Sequence, residues 1–222
     1  WSNLMNQETL KRILSSIILI PMALFFIIKG SFLFNFFILI CFGITAYEWH
    51  MMSKKKSYYI FGFIFLLFSF YSIYQLRNDF AGDYIYLLII TLICVSTDIG
   101  GYVFGKLFKG PKLTKVSPKK TYSGMIGGYL LSIIFLNVFH NSPYVFTKPT
   151  ELTSDIFIFI LLVSTVSQLG DILISYFKRL SKIKDTGKII PGHGGLLDRV
   201  DGMIFAFPFA YMILKLNIFQ YF

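Results

Sequence analysis

The chain has 222 residues, of which 55% are hydrophobic, 19% aromatic and only 14% charged. This composition, with apolar runs that recur along the whole length, excludes an ordinary soluble domain. Because a helix needs about 20 apolar residues to cross a bilayer core, the sequence predicts an integral membrane protein. The formal net charge of +10 is foremost a signal of membrane topology.

Seven apolar segments predict an all-α, polytopic bundle of about seven transmembrane helices. They are residues 13–28, 32–47, 58–76, 84–104, 124–139, 156–177 and 200–214. The first segment is preceded by basic residues, as in a signal peptide, but no small-residue cleavage site follows, so we expect a retained helix. We therefore expect a single membrane domain over 1–222, with N-terminal hydrophobic helices in 1–83 and catalytic helices with cytoplasmic loops in 84–222.

Basic residues fall mostly on one side of the predicted helices. Seventeen of the 21 lysines and arginines lie on that side, and the other side has only Lys29, Arg77, Lys148 and Lys215. The positive-inside rule places the crowded side in the cytoplasm. Topology and attraction to anionic lipid would be a sufficient explanation for this charge, and binding of phosphates is the alternative. We expect no nucleic-acid partner.

The positions of the acidic residues separate two groups. Asp98 and Asp171 each interrupt an apolar segment toward its cytoplasmic end, where an acid costs about 2 to 3 kcal/mol by insertion scales. We expect each to pair with a basic residue, to face a polar cavity or to bind a cation. For the acids at segment ends or in loops we expect helix capping or solvation. These include Glu48, Asp79, Asp83, Glu151 and Asp155.

The most polar stretch, SYFKRLSKIKDTGKIIPGHGGLLDRVDG, separates the last two apolar segments. Asp198 and Asp201 close it three residues apart, which puts them on one face if a helix begins nearby. Together with Asp171 they supply three carboxylates, and carboxylate, water and phosphate oxygens suit Mg²⁺. We predict these three as metal ligands, with Asp98 as a further candidate.

Two segments predict phosphate binding. In PGHGG, the glycines around His193 allow close backbone approach and leave N–H groups to meet a phosphate. In residues 105–128, six lysines occur, and Lys119, Lys120 and Thr121 directly precede the glycine-rich helix start SGMIGG. Clustered carboxylates and lysine-rich loops together favour phosphoryl or nucleotidyl transfer at a lipid phosphate.

The polar stretch resembles the signature of the phosphatidate cytidylyltransferases, also called CDP-diacylglycerol synthases. The positions that match that signature are Ser175, Lys178, Arg179, Lys184, Asp185, His193, Gly194, Gly195, Asp198, Arg199 and Asp201. STDIGGYVFGKLF, SPKKTYSGMIGG and QLGD also resemble segments of that family, so the likeness runs from about Asp98 to Gly202.

This resemblance implies that CTP reacts with phosphatidic acid, giving CDP-diacylglycerol and pyrophosphate with Mg²⁺ as cofactor. The implied catalytic residues are Asp171, Asp198, Asp201, Lys178, Arg179, Lys184, Asp185 and His193. The implied substrate-binding residues are Lys119, Lys120, Thr121, Ser175, Gly194, Gly195 and Arg199. The family also implies a homodimer, and we expect a multi-pass protein of the cell inner (plasma) membrane with its active site facing the cytoplasm.

Two rival functions stay open on the residues alone. Another Mg-dependent membrane transferase, acting on a polyprenyl phosphate, would share the metal site and the basic loops. A cation or lipid transporter would line its pathway with Asp98 and Asp171. Transporters more often carry acids near the midplane and broken helices in matching halves, whereas these acids lie off-centre and the chain has no repeat.

Thiol labelling of intact cells tests the predicted orientation. In separate variants with a cysteine at position 145 or 184, a membrane-impermeant reagent should label position 145 and spare position 184. The reason is that the charge asymmetry places residues 141–150 away from the cytoplasm. Labelling at position 184 without labelling at position 145 would reverse the orientation.

Overall fold

The structure is a computed structural model that describes residues 2–79, 84–114, 116–140, 153–192 and 194–219. Within these ranges the regular elements are all helices, so the predicted all-α class is confirmed. They are α1 (Ser2–Lys29), α2 (Ser31–Ser53), α3 (Tyr59–Asn78), α4 (Ile85–Phe108), α5 (Tyr122–His140), α6 (Ser154–Leu180), α7 (Leu197–Val200) and α8 (Met203–Lys215). The predicted loop 141–150, Asp83, Glu151 and His193 lie outside the described residues.

Five described helices are long and apolar enough to cross a membrane. They are Ser31–Ser53, Tyr59–Asn78, Ile85–Phe108, Tyr122–Phe139 and Ser154–Leu180. The first and last predicted segments correspond to shorter apolar helical stretches, which are Ile17–Lys29 within α1 and Met203–Lys215, which is α8. These helices fit a polytopic membrane protein, and the count of seven spans stays a prediction.

The helices pack as two compact units that do not follow chain order. The first comprises Trp1–Tyr84 and Phe177–Asp201, and the second comprises Ile85–Tyr176 and Gly202–Phe222. Most of the polar stretch therefore packs with the N-terminal helices. The predicted division of one membrane domain at residues 83 and 84 stays a prediction.

In the first unit, the junction between α1 and α2 depends on one glycine and one arginine. Gly30 has a φ of 64°, a left-handed conformation that favours glycine. A Cβ at this position would also lie closer than 3.0 Å to the Arg77 guanidinium. Arg77 Nε donates to the carbonyl of Ile27 at 2.9 Å, and its head group lies over the ring of Tyr84. Arg77 therefore satisfies a carbonyl that the end of α1 leaves without a helical partner.

The turn between α2 and α3 holds the end of α6. Trp49 donates through Nε1 to the carbonyl of Tyr59 at 3.0 Å, and its ring meets Phe177 edge to face at 5.5 Å. Ser181 Oγ donates to the carbonyl of Met52 at 2.8 Å and lies 3.1 Å from the hydroxyl of Tyr58. The chain therefore leaves α6 at a point fixed by α2 and by the start of α3.

In the second unit, α4 and α5 approach closely through glycines. A Cβ at Gly100 would lie closer than 3.0 Å to the backbone of Gly127, and one at Gly124 would lie 2.6 Å from the carbonyl oxygen of Gly101. Small residues let membrane helices approach backbone to backbone, where packing rather than water exclusion drives association. These two helices thus form the tightest described pair of the second unit.

Helix α6 is joined to α4 and α5 by hydroxyl groups. Thr97 and Ser164 lie 2.8 Å apart through their side-chain oxygens, and both are fully buried. The hydroxyl of Tyr129 lies 2.9 Å from Thr165 Oγ1. In an apolar surround such hydrogen bonds add roughly 0.6 kcal/mol each on average, so they fix helix orientation more than stability.

A pair of alanine substitutions tests the glycine contact. Gly100→Ala should lower the free energy of unfolding by about 1 to 3 kcal/mol, because the new methyl group overpacks against α5. The matched control is Gly43→Ala, since a Cβ at Gly43 would meet nothing within 4 Å. Thermal unfolding of purified protein in detergent measures both variants, and equal melting temperatures would contradict the close approach.

Candidate active site

The carboxylate of Asp198 is buried in the first unit and is met by three donors. Lys178 Nζ donates to Oδ1 at 2.9 Å, and the backbone N–H groups of Thr186 and Gly195 donate to Oδ2 at 2.8 and 3.0 Å. The residue is 8% exposed. Three donors at these distances compensate the desolvation of a carboxylate, which is otherwise costly.

Lys178 serves both acids of the LDRVD segment. Its ammonium nitrogen lies 2.9 Å from Asp198 and 4.0 Å from Asp201, and all three residues are buried. The predicted acidic pair is therefore brought together, as the spacing of three residues implied. Both carboxylates lie within 4.0 Å of the same ammonium, so hard oxygen atoms of the kind that a divalent cation prefers converge at one place.

The other predicted residues of the polar stretch are mostly exposed. Arg179 donates to the carbonyl of Ile183 at 3.2 Å, and Lys184, Asp185 and Arg199 are exposed.

The glycines of the PGHGG segment have distinct positions in the first unit. Gly194 has a φ of 86°, and its carbonyl accepts from the N–H of Ile190 at 2.9 Å in an isolated bridge. The neighbouring Gly195 is buried, and its N–H is the one directed at Asp198. The backbone hydrogen bond thus brings Ile190 and Gly194 together.

Glu48 is the residue whose position differs most from the sequence-based expectation. We expected a helix cap or a solvated site, and this is wrong: Glu48 is only 1% exposed. It accepts hydrogen bonds from Thr186 Oγ1 at 3.1 Å and from the backbone N–H groups of Leu196 and Leu197 at 2.9 and 2.7 Å. Every donor named here lies between Thr186 and Leu197, so the Glu48 carboxylate stabilises the segment that leads into α7.

The sequence signal for Glu48 is an acidic residue near the end of an apolar segment. Glu48 follows ITAY and precedes WHMM, so apolar residues surround it on both sides. The same criterion that singled out Asp171 would have singled out Glu48. Thr186 and Gly187, which line the same loop, carry no comparable signal.

In the second unit, Asp171 forms an ion pair. Lys120 Nζ lies 2.5 Å from Asp171 Oδ2, and both side chains are about a quarter exposed. Lys120 also donates to the carbonyl of Gln168 at 3.3 Å, and Ser175 Oγ lies 3.4 Å from Asp171 Oδ1. The predicted partnership of an intramembrane acid with a loop lysine is thus observed for Asp171.

The residues that precede α5 differ in role. Thr121 Oγ1 accepts from the N–H of Gly124 at 3.1 Å, which is the geometry of a helix N-cap. Lys119 is exposed. Asp98 is an exposed residue of α4, seven residues before the close contact of Gly105 with α5. Within the part of the chain that the structure describes, no three His, Cys, Asp or Glu residues group closely enough to hold a metal ion together.

Helices of this length and apolarity, with charged residues paired near their ends, define a polytopic membrane protein. Comparison with known proteins then specifies it further: the chain belongs to the Cytidylyltransferase family, whose model matches residues 54–217. The resemblance carried by the polar stretch is thereby confirmed.

Curated relatives extend this likeness over most of the chain. The phosphatidate cytidylyltransferase of Rickettsia bellii (strain RML369-C) is 34% identical over 207 residues, covering 91% of this chain and 89% of that protein. That of Rickettsia felis (strain ATCC VR-1525 / URRWXCal2) is 35% identical over 217 residues, covering 94% and 93%. That of Bacillus subtilis (strain 168) is 33% identical over 159 residues, covering 69% and 56%.

Removal of the buried ammonium should be costly. Lys178→Met removes the ammonium that contacts Asp198 and Asp201, so we expect a loss of about 3 to 5 kcal/mol in unfolding free energy. The control is Lys188→Met, because Lys188 is exposed in the segment that follows α6. Thermal unfolding in detergent compares the two, and the double variant Lys178→Met/Asp198→Asn should recover part of the loss. A Lys178→Met protein as stable as the control would contradict the pairing.

Proposed function

We propose that the protein transfers the cytidylyl group of CTP to phosphatidic acid, forming CDP-diacylglycerol and releasing pyrophosphate. The observation that carries this proposal is the likeness, over about nine tenths of the chain, to proteins named phosphatidate cytidylyltransferase. It favours CTP and phosphatidic acid over a polyprenyl phosphate, and transfer over transport. The apolar helices suit a substrate that resides in the bilayer.

The reaction has a simple atomic balance. A phosphate oxygen of phosphatidic acid attacks the α-phosphorus of CTP, and the bond from that phosphorus to the bridging oxygen of the β-phosphate breaks. The electron pair leaves with pyrophosphate. A phosphomonoester is largely ionised near pH 7, so a strong general base is unnecessary. The main tasks are to neutralise charge and to align the attacking and leaving oxygens.

The acidic pair of the first unit fits Mg²⁺ in its chemistry. Asp198 and Asp201 both lie near the ammonium of Lys178, and their oxygens are the hard donors that this ion prefers. Mg²⁺ keeps several waters and is usually bound by one or two carboxylates plus substrate phosphates, so a third carboxylate is not required. Asp198 and Asp201 would hold the ion, and when bound it would offset charge on the phosphates.

The carboxylate of the second unit remains a separate proposal as a metal ligand. Asp171 is half-buried and forms an ion pair with Lys120. The ammonium therefore offsets the cost of desolvating the carboxylate when no metal is bound. The oxygen nearer to Ser175 carries the weaker contact, at 3.4 Å. The carboxylates of Asp171 and Asp98 are both hard oxygen donors, and both are candidates for metal ligands.

Two of the basic residues contact carboxylates. Lys120 and Lys178 donate to Asp171 and Asp198, so we assign them to the orientation of these carboxylates. Among the exposed basic residues, the candidates for the phosphates of CTP and of the lipid are Lys119, Arg179, Lys184 and Arg199. Ser175, Thr121, Gly194, Gly195, Asp185 and His193 keep the roles that the resemblance implies.

Location and assembly complete the proposal. The seventeen-to-four distribution of basic residues supports an active site that faces the cytoplasm from the cell inner (plasma) membrane. The family resemblance supports a homodimer. Chemical cross-linking of the purified protein at several concentrations examines the latter directly.

Pyrophosphate release by the purified protein tests the function. With phosphatidic acid and each of the four nucleoside triphosphates in turn, we expect turnover with CTP alone. EDTA should abolish the activity and added Mg²⁺ should restore it, because uncompensated phosphate charge blocks the attack. Equal turnover with UTP, or full activity without a divalent ion, would overturn the proposal.

The same assay tests the carboxylates through isosteric changes. Asp171→Asn, Asp198→Asn and Asp201→Asn should each lower turnover on the order of 100-fold or more, since charge is lost while shape is kept. Asp155→Asn is the matched control, because Asp155 lies in the first turn of α6, outside every cluster described above. Near-normal rates of both Asp198→Asn and Asp201→Asn at limiting Mg²⁺ would remove the acidic pair from the metal site.

A further inference from the structure

The buried carboxylate of Glu48 has no part in the chemistry described so far. Glu48 lies in α2 at 1% exposure, before the residues 54–217 that match the family model. A carboxylate removed from water is retained only when donors replace its hydration. Its donors come from Thr186, Leu196 and Leu197, which are 138, 148 and 149 residues away along the chain.

The same loop is shaped around this carboxylate. A Cβ at Gly187 would lie 2.7 Å from Glu48 Oε1, and a Cβ at Gly195 would lie 2.6 Å from both carboxylate oxygens. A Cβ at either position would force the buried Glu48 carboxylate to move, so the two glycines leave the space that this carboxylate occupies. The second glycine of the HGG sequence is therefore explained by the approach of an acid from α2.

Two residues join Glu48 to Asp198. Thr186 donates through its hydroxyl to Glu48 and through its N–H to Asp198. Gly195 packs against Glu48 and donates its N–H to Asp198 at 3.0 Å. Displacement of Glu48 would therefore disturb two of the three donors that fix the orientation of the Asp198 carboxylate.

We propose that Glu48 is a positioning residue, which holds the loop from Thr186 to Leu197 in the shape that orients Asp198 for the transfer reaction. The proposal rests on the function proposed above for its catalytic consequence, whereas its structural part stands on the contacts alone. Loss of this support should leave CTP binding largely intact and should weaken the use of Mg²⁺, because the loop places an acidic residue of the proposed metal site.

The decisive variant is Glu48→Gln, which keeps the size of the side chain but replaces one acceptor oxygen with an NH₂ donor. The NH₂ group would face a backbone N–H or the hydroxyl of Thr186, so at least one hydrogen bond is lost. Thr186→Val removes one donor from the loop side and should act in the same direction with a smaller effect. Thr45→Val is the control, because Thr45 is a fully buried residue of α2 that bonds only to carbonyls of its own helix.

Hydrogen exchange measured by mass spectrometry reports on the loop without reference to activity. In Glu48→Gln, amides of residues 186–197 should exchange about tenfold faster or more, while residues 122–139 keep their protection. Thr45→Val should match the original protein throughout. Unchanged exchange in the loop, or an equal increase in residues 122–139, would overturn the proposal, the second result because it would mark a general loss of stability.

Kinetics then separates positioning from a reduced folded fraction. We expect Glu48→Gln to lower kcat about 10- to 100-fold with little change in the KM for CTP, and to raise several-fold the Mg²⁺ concentration that gives half the maximal rate. A smaller amount of folded enzyme would lower the rate without moving the Mg²⁺ dependence, and that outcome would overturn the positioning role.

If Glu48→Gln does not yield folded protein, Thr186→Val decides by the same two measurements. Absence of CTP-dependent turnover in the original protein would refute the proposed function, while the exchange result would still test the contact between Glu48 and the loop.

Discussion

A carboxylate without water needs hydrogen-bond donors, and the first unit is organised around that requirement. Glu48 and Asp198 are both buried, and one short loop supplies five of their donors through backbone N–H groups and one hydroxyl. Backbone donors serve this purpose well because their positions are set by the chain itself rather than by flexible side chains. The loop also comes very close to both acids: a Cβ at Gly187 or Gly195 would crowd the Glu48 carboxylate, and a Cβ at Gly194 would crowd that of Asp198.

In the second unit, Asp171 is compensated by the side chain of Lys120 rather than by backbone N–H groups of a loop. Asp171 stays about a quarter exposed and meets Lys120 from the segment that precedes α5. The flexible side chain of a lysine can move when another cation competes for the carboxylate or when a phosphate competes for the lysine. Backbone N–H groups cannot move in this way. Glu48 is thus held by a fixed loop, which suits a support. Asp171 is held by a side chain that can move, which would suit a carboxylate that exchanges its partner.

Sequence patterns predicted the helices and the acidic pair well, because both depend on short spacings. The apolar runs located α3, α4, α5, α6 and α8 to within four residues at each end. The spacing of three in LDRVD predicted that Asp198 and Asp201 share one face, and the structure has both beside one lysine. The role of Glu48 depends instead on partners about 140 residues away, and no local pattern encodes that distance. An acid near the end of a helix usually caps it or meets solvent, so the general rule led to the wrong expectation here.

Arg77 shows how a structural duty can alter the meaning of a charge. It is one of the four basic residues that lie on the sparsely charged side in the predicted topology. Its guanidinium donates to the carbonyl of Ile27 and fills the space that a side chain at residue 30 would need. Such a charge is engaged by a backbone carbonyl and by the ring of Tyr84. In the predicted topology, the effective charge asymmetry between the two sides would therefore be larger than a count of lysines and arginines suggests.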